Sequence, residues 1–257
     1  MGIDTFNFGL ENMKNRLKSL IIDLDDTLIA FDVVTEFSWK QVCRNYSLEI
    51  SVDEEVLFNE ISRISNEYWS DSERHRTGRL DINKARQLIL RATFTALSID
   101  DFSLADRIAD AYSRVRMENI FLFPGTYDVL RFLRNKGFCL AMMTNGDSRY
   151  QREKIDRFEL APFFDFIFIE GEIGTGKPEK KAFNLVLSTL ETSPEETMII
   201  GDNYEWEIRI PKQMGMKTVW HNYKKRKPLP AGPVVPDHII FDIKELTSVV
   251  EKYRPSL

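Results

Sequence analysis

Short apolar runs and helical patterns alternate along much of this chain. The first apolar run, residues 20–22, stops at a group of carboxylates formed by Asp23, Asp25 and Asp26. A short run without a polar face is typical of a strand that is buried on both sides of a sheet. We therefore predict a buried strand here, with charged side chains at the point where burial ends.

The second half of the chain contains five more apolar runs that alternate with helical segments. This alternation indicates a parallel sheet with helices on both faces, which the strand near residue 20 must join. The first of these helices should end at Gly137, because glycine suits the position after a helix. The predicted strands are 138–143, 164–169, 198–200, 217–220 and 238–241, and the predicted helices are 127–136, 151–158, 179–190, 205–214 and 243–253.

A different pattern occupies residues 33–118, where apolar residues recur at helical spacing without proline and with one glycine, Gly78. It predicts roughly four helices and no strand, with a break in the polar run 70–79. Ser51 and Asp81 are the predicted helix N-caps. The predicted fold class is thus α/β, with a Rossmann-like core of residues 1–31 and 120–257 and an inserted all-helical cap domain of residues 32–119.

Composition narrows the range of partners. The 257 residues carry a net charge of −5, which disfavours general nucleic-acid binding. No segment approaches the length of a membrane span, and the first 18 residues, an expected helix, lack a secretion signal. Two distant cysteines, Cys43 and Cys139, make no disulfide framework. We expect a cytoplasmic protein with neither nucleic acid nor membrane as partner, and a solvated loop at the basic run 224–227.

The acids after the first strand are candidates for catalysis. Asp23 can act as a nucleophile that accepts a phosphoryl group, and Asp25 can protonate the leaving oxygen and later activate water. The alternative is an Asp-rich turn, since Asp and Thr readily bond to local backbone groups. We expect Asp26 to have a structural role only.

Three further strand ends carry polar residues that suit a phosphate ester. Thr144 and Asn145 can donate to phosphate oxygens, although Asn-Gly is also a common turn pair. Lys177 can supply a point charge. The segment 171–177 is similar to a nucleotide-binding P-loop, but Pro178 lacks the hydroxyl that such a loop needs for Mg²⁺. Pro178 should instead occupy the first turn of the next helix.

The fourth strand end carries Gly201 and Asp202. Asp202 and Asp23 together would provide the one or two carboxylates that Mg²⁺ takes from a protein, while a solvated helix start is the simpler alternative. In a parallel sheet all four strand ends lie at one edge. Chance turns would not be expected to supply a nucleophile, an acid, phosphate donors and a metal ligand together.

The sequence DLDDT at 23–27, with Thr144-Asn145, Lys177 in GKP and Gly201-Asp202 in GDNYEWE, resembles the motifs of the haloacid dehalogenase-like (HAD) hydrolase superfamily. Order and spacing agree over nearly the whole chain. The resemblance implies that Asp23 is the nucleophile, that Asp25 is the acid/base, and that Thr144 and Lys177 hold the phosphate. It also implies Mg²⁺ bound by Asp23, the backbone carbonyl of Asp25 and Asp202.

One position departs from the superfamily pattern. Glu207 stands where a second Asp is common, so its part in the metal shell is a hypothesis.

Asp25 separates two reactions. A halide leaves without a proton and an alkoxide needs one, so the presence of Asp25 favours ester hydrolysis over cleavage of a carbon–halogen bond. The predicted function is a Mg²⁺-dependent phosphatase for a small phosphorylated metabolite. A phosphomutase and a non-catalytic phospho-ligand-binding protein are the alternatives, and Arg76 and Arg79 are candidate specificity residues, unless their basic run is simply solvated.

Overall fold

The computed structural model describes residues 17–225 and 234–253; the predictions for residues 1–16 and 226–227 fall outside them. A six-stranded parallel sheet dominates the fold, in the order β5-β4-β1-β6-β7-β8, and a two-stranded sheet joins β2 and β3. The strands are β1 (Ser19–Ile22), β2 (Ile29–Ala30), β3 (Phe121–Leu122), β4 (Cys139–Thr144), β5 (Phe166–Ile169), β6 (Thr197–Gly201), β7 (Lys217–His221) and β8 (His238–Ile240).

Strand β1 lies at the centre of the large sheet. All four of its residues are buried, and Ile22 pairs with Met142 of β4 and with Ile200 of β6. Because these strands are parallel, the residues that follow β1, β4 and β6 emerge at the same edge of the sheet. The predicted α/β class is confirmed, and each predicted strand lies within about two residues of its observed bounds.

By contacts, the chain divides into two compact units. The sheet unit contains residues 17–29, Leu122–Thr144 and the described residues from Ile155 onward, and the helical unit contains Ala30–Phe121 and Asn145–Lys154. The segment 145–154 was assigned to the core by the sequence. It is grouped with the inserted helices because its backbone lies close to theirs, and the hydrogen bond from Arg86 to the Tyr150 hydroxyl is one contact between them.

The inserted segment forms five helices, so the prediction of roughly four was wrong. The polar run 70–79 is mostly helical instead of a break. A short exposed helix is stable there because the Asp71 carboxylate accepts from the Arg74 N–H, and Arg76 pairs with Glu73 one turn earlier. The helices are α1 (Thr35–Ile50), α2 (Glu54–Ser70), α3 (Ser72–Gly78), α4 (Ile82–Ala96) and α5 (Phe102–Asn119).

The helix caps agree with the sequence at one of two positions. Asp81 caps α4 and accepts from the Lys84 N–H, as predicted. Ser51 does not cap α2. It ends α1 with a φ of 53°, and Asp53 caps α2 instead, since its carboxylate accepts from the N–H groups of residues 55 and 56. The core of the helical unit is built around Trp39, whose ring stacks on Tyr112 with 3.5 Å between centroids.

The sheet unit takes its helices from the remaining segments, and Gly137 follows the first of them with a φ of 71° as expected. Apolar residues of the helix after residue 180, such as Phe183 and Val186, pack on the sheet against Ile21 and Ile199. No described helix has an apolar stretch long enough to cross a bilayer. The helices outside the inserted segment are α6 (Thr126–Asn135), α7 (Ser148–Arg157), α8 (Glu170–Ile173), α9 (Lys180–Leu190), a π-helical turn (Tyr204–Arg209), α10 (Ile210–Gln213) and α11 (Leu246–Glu251). Most of α7, up to Lys154, belongs to the helical unit.

Candidate active site

A buried lysine joins two acids at the carboxyl edge of the large sheet. The Nζ atom of Lys177 lies 2.6 Å from Oδ1 of Asp23 and 2.7 Å from Oε1 of Glu207. The side chain of Lys177 is 1% exposed, which is possible for an ammonium group only when charges compensate it. Lys177 and Pro178 form a turn before α9, which begins at Lys180, so Pro178 does not open the helix as predicted.

The carboxylate of Asp23 is held at both oxygens. The backbone N–H of Asp23 donates to the Ile200 carbonyl at 3.0 Å, which continues the pairing of β1 with β6 by one residue. Lys177 donates to Oδ1, and the Thr27 hydroxyl donates to Oδ2 at 3.0 Å. Thr27 is fully buried, so the threonine of DLDDT orients the first aspartate of the same motif.

The group formed by Asp23, Lys177 and Glu207 contains less positive charge than its two carboxylates require. Burial raises the pKa of Asp23, with a further rise from the charge of Asp25, and outweighs the opposing effects of Lys177 and Thr27. Burial also raises the pKa of Glu207 to about 7. Burial alone would lower the pKa of Lys177, but the charges of the two acids outweigh it and raise this pKa. One lysine therefore compensates two buried carboxylates only in part.

Glu207 is positioned by a glycine and a backbone amide. Its Oε2 atom accepts from the Asn203 N–H at 2.8 Å, and its side chain lies against Gly201. A Cβ atom at residue 201 would lie 2.1 Å from Cγ of Glu207, so the glycine makes room for the glutamate. The sequence suggested a metal-shell role for Glu207 and missed its direct contact with Lys177.

The remaining predicted residues follow the expected strand ends. Thr144 is the last residue of β4 and is buried, and Asn145 follows it at the start of the segment that belongs to the helical unit. Asp202 follows β6, and its carbonyl oxygen accepts from the Trp220 indole N–H at 2.8 Å. Asp25 lies two residues beyond Asp23 and forms an isolated bridge with Ile29.

Asp26, the last acid of the DLDDT motif, has the structural role that the sequence predicts. It has a φ of 59° and is buried, and its Oδ1 atom accepts from the Tyr223 hydroxyl at 2.8 Å. Nδ1 of His221 lies 3.2 Å from the Asp26 carbonyl oxygen. Residues at the end of β7 thus hold the DLDDT turn in shape.

The two candidate specificity residues both lie on or next to α3 in the helical unit. Arg76 is exposed and pairs with Glu73, and Nη1 of Arg79 lies 3.3 Å from Nδ1 of His75. These contacts are local to one helix. That Arg76 and Arg79 take part in substrate selection stays a prediction.

The donor set at the sheet edge fits a hard divalent cation. The described residues contain no group of three or more His, Cys, Asp or Glu side chains arranged as a metal site. The predicted set differs in kind, because it uses the carboxylates of Asp23 and Asp202 with one backbone carbonyl, from Asp25. Magnesium takes few protein ligands and keeps water or substrate oxygens. A cation would also supply the positive charge that the Asp23, Lys177 and Glu207 group lacks.

Comparison with known proteins identifies the family. A model of the haloacid dehalogenase-like hydrolases matches residues 17–215. The chain belongs to this family. It is 28% identical to glyceraldehyde 3-phosphate phosphatase of Pyrococcus furiosus, over 94% of this chain and 96% of the relative. It is 27% identical to phosphoserine phosphatase of Thermus thermophilus, over 90% and 98%.

The fold of this hydrolase also matches solved structures of the family. The magnesium-bound HAD-hydrolase YfnB of Bacillus subtilis superposes with a TM-score of 0.72 and 24% identity, and covers 91% of this chain and 99% of its own. The fold, the family and the hydrolase class expected from the four motifs are thereby confirmed.

We predict that Gly201→Ala damages the site through Glu207. The added methyl group cannot share space with Cγ of Glu207, so the glutamate must move away from Lys177. The free energy of unfolding should fall by about 1–3 kcal/mol, as is usual for overpacking, and urea denaturation measures it. Gly174→Ala is the matched control, because its Cβ meets no atom within 4 Å and it carries the cost of a positive φ alone. A Gly201→Ala variant as stable as the wild type would contradict the steric argument.

We also predict a pH-dependent stability that originates at His221. Burial lowers its pKa to about 4, from an ordinary 6.5. Between these values the unfolded chain binds a proton that the folded chain excludes. The stabilisation is complete above pH 6.5 and is lost as the pH falls toward 4, by about 3 kcal/mol in total.

Urea denaturation of the wild type and of His221→Gln between pH 4 and 7 measures this effect. The variant should lose less stability on acidification than the wild type, by up to that amount. Parallel pH profiles for the two proteins would show that His221 does not titrate as the structure requires.

Proposed function

We propose that this hydrolase is a Mg²⁺-dependent phosphatase, which cleaves the phosphate monoester of a small phosphorylated metabolite through an aspartyl-phosphate intermediate. The observation that carries the proposal is the buried contact between Asp23 and Lys177, with Thr27 on the other carboxylate oxygen. A carboxylate oriented in this way at the end of a central strand suits a nucleophile, because its reacting oxygen needs a fixed direction.

The proposed reaction has two displacements at phosphorus. An oxygen of Asp23 attacks phosphorus, and the bond to the leaving oxygen breaks with its electron pair as Asp25 donates a proton to that oxygen. Asp25 then removes a proton from water, whose oxygen attacks phosphorus. The bond between Asp23 and phosphorus breaks, which restores the carboxylate and releases phosphate.

The phosphate would be held by neutral donors at the end of β4 and by a charged donor in the turn before α9. Thr144 offers a hydroxyl, Asn145 follows it with backbone and amide N–H groups, and Lys177 offers a positive charge. Phosphoryl transfer depends mainly on positioning and on stabilisation of charge, so these donors would account for a large part of the rate.

The cation would be held by Asp23, the carbonyl of Asp25 and Asp202. Bound there, Mg²⁺ would reduce the repulsion between an anionic phosphate and the carboxylates. The magnesium of the YfnB structure supports this choice of metal. Glu207 would act indirectly, through its contact with Lys177.

Two features favour a phosphate ester of a small molecule as the substrate. Asp25 provides the proton that an alkoxide leaving group needs and a halide does not. The phosphatase names of the Pyrococcus and Thermus relatives support the same reaction class. The inserted helical unit, including Arg76 and Arg79, is where we expect the leaving group to be selected.

We predict that Asp23→Asn abolishes the release of phosphate from p-nitrophenyl phosphate, because the amide is a poor nucleophile. Asp25→Asn should lower kcat about 10²–10⁴-fold, most strongly for esters whose alkoxide is a poor leaving group. Asp128→Asn, which replaces an exposed acid of α6, is the control and should retain wild-type kcat. Circular dichroism confirms that each variant folds.

Retained turnover in folded Asp23→Asn would refute the proposed nucleophile. A mutase would reveal itself in product analysis, because the phosphoryl group would move within the substrate instead of appearing as free phosphate. A folded wild type that turns over no phosphate ester in a broad panel would support a non-catalytic ligand-binding protein.

Removal of divalent metal tests the cofactor separately. EDTA should abolish phosphatase activity, and an excess of Mg²⁺ over the chelator should restore it, because two carboxylates and the phosphate otherwise repel one another. Full activity after dialysis against EDTA would contradict the metal requirement.

A further inference from the structure

A buried arginine of the helical unit has no carboxylate beside it. Arg86 on α4 is 3% exposed, yet no carboxylate oxygen of the described residues lies within 4 Å of its guanidinium group. Its two hydrogen bonds go to neutral hydroxyls, Nη1 to Oγ of Ser113 at 2.8 Å and Nη2 to the Tyr150 hydroxyl oxygen at 3.2 Å. Burial of a cation without a counter-charge is costly, which makes this position a candidate for binding an anion.

Aromatic rings offset part of that cost. The guanidinium carbon of Arg86 lies 5.2 Å from the ring centre of Tyr112 and 4.8 Å from that of Tyr150. A second buried cation, Lys154, lies 4.8 Å from the same Tyr150 ring. Cation–π contacts stabilise the positive charge but do not neutralise it. Two positively charged side chains therefore lie close to the ring of Tyr150.

The hydroxyl of Tyr150 has a hydrogen left to donate. Its oxygen accepts from Arg86, and no acceptor for its own O–H occurs among the described residues. Ser113 differs, because its hydroxyl already donates to the Ala109 carbonyl at 2.9 Å. A phenol whose oxygen accepts a bond from a guanidinium group is polarised, and its O–H is a stronger donor.

Ser113 and Tyr150, the two residues whose hydroxyls contact Arg86, both line one cavity of the helical unit. Its volume is about 230 Å³, which is room for several water molecules or for one small organic anion. The Asp147 carboxylate in its lining is already engaged by the Tyr150 N–H at 2.7 Å. The charged residues of the lining are Arg114, Arg149, Asp147 and Glu153.

We propose that this cavity binds a small organic anion through a carboxylate or phosphate group, with the O–H of Tyr150 as donor and Arg86 as the fixed positive charge behind it. Arg114 and Arg149 extend this positive charge along the lining, and Glu153 restricts the site to ligands that avoid its carboxylate. The anionic group is either part of a substrate or a free anion, and the two sources are separated below.

Direct binding of malonate to the full-length protein, measured by isothermal titration calorimetry, tests the site without any turnover. Malonate should bind the wild type, and uncharged malonamide should not. Tyr150→Phe removes only the donor hydroxyl and should weaken malonate binding about tenfold or more, and Arg86→Gln should do the same. Arg91→Gln is the matched control, because Arg91 lies on the same helix and pairs with Asp106; its affinity should equal that of the wild type.

The proposal would be overturned by wild-type protein that does not bind malonate, or by folded Tyr150→Phe that binds it as tightly as the wild type. Should Arg86→Gln fail to fold, Tyr150→Phe alone decides, since it keeps the ring and its packing. Equal weakening by Arg91→Gln would also count against the site, because the effect would then reflect general charge.

A kinetic comparison identifies the source of the anion and rests on the proposed function. The substrates 2-phosphoglycolate and ethyl phosphate differ by a carboxylate in place of a methyl group. If Tyr150→Phe lowers kcat/KM for the first about tenfold and leaves the second unchanged, the anion belongs to the substrate. If neither changes while malonate binding is lost, the ligand is a free anion. If no ester is hydrolysed, the proposed function fails and calorimetry still decides the anion site.

Discussion

The carboxyl edge of the sheet depends on the burial of Lys177 between Asp23 and Glu207. Each partner comes from a different segment: the residue after β1, the turn before α9 and the π-helical turn after β6. Burial of an ammonium group is unfavourable unless acids surround it. Lys177 can therefore stay buried only while all three segments keep this arrangement. The other features of the edge, including the glycine at 201 and the amide of Asn203, serve to bring Glu207 into that contact.

This ion group also sets the charge of the site. Two buried acids and one lysine leave negative charge in excess, and Asp25 adds to it through its effect on the pKa of Asp23. A site of this composition attracts a cation, and the cation together with Lys177 would make it attractive to a phosphate ester. The overall acidity of the chain is therefore compatible with an anionic substrate.

Local pattern sufficed to predict the sheet, because runs such as 20–22 and 198–200 are apolar throughout and end abruptly in acids. The same pattern located Asp23, Thr144 and Asp202 at strand ends, whereas Lys177 lies beyond α8 in the turn before α9. The pattern could not predict contacts between distant residues. His221 lies 195 positions from Asp26, and only the register of β7 in the sheet brings them together. The helix at Ser72–Gly78 was missed because its stability comes from a cap and an ion pair rather than from an apolar face.

Asp23 is the proposed nucleophile, and chemical trapping of the intermediate tests this role most directly. The enzyme is mixed with substrate, quenched rapidly in acid, and reduced with borohydride, which converts an acyl phosphate of aspartate to homoserine. Peptide mass spectrometry should then find homoserine at position 23 and at no other aspartate. An unmodified Asp23 during steady turnover, or homoserine at Asp25 instead, would contradict the mechanism.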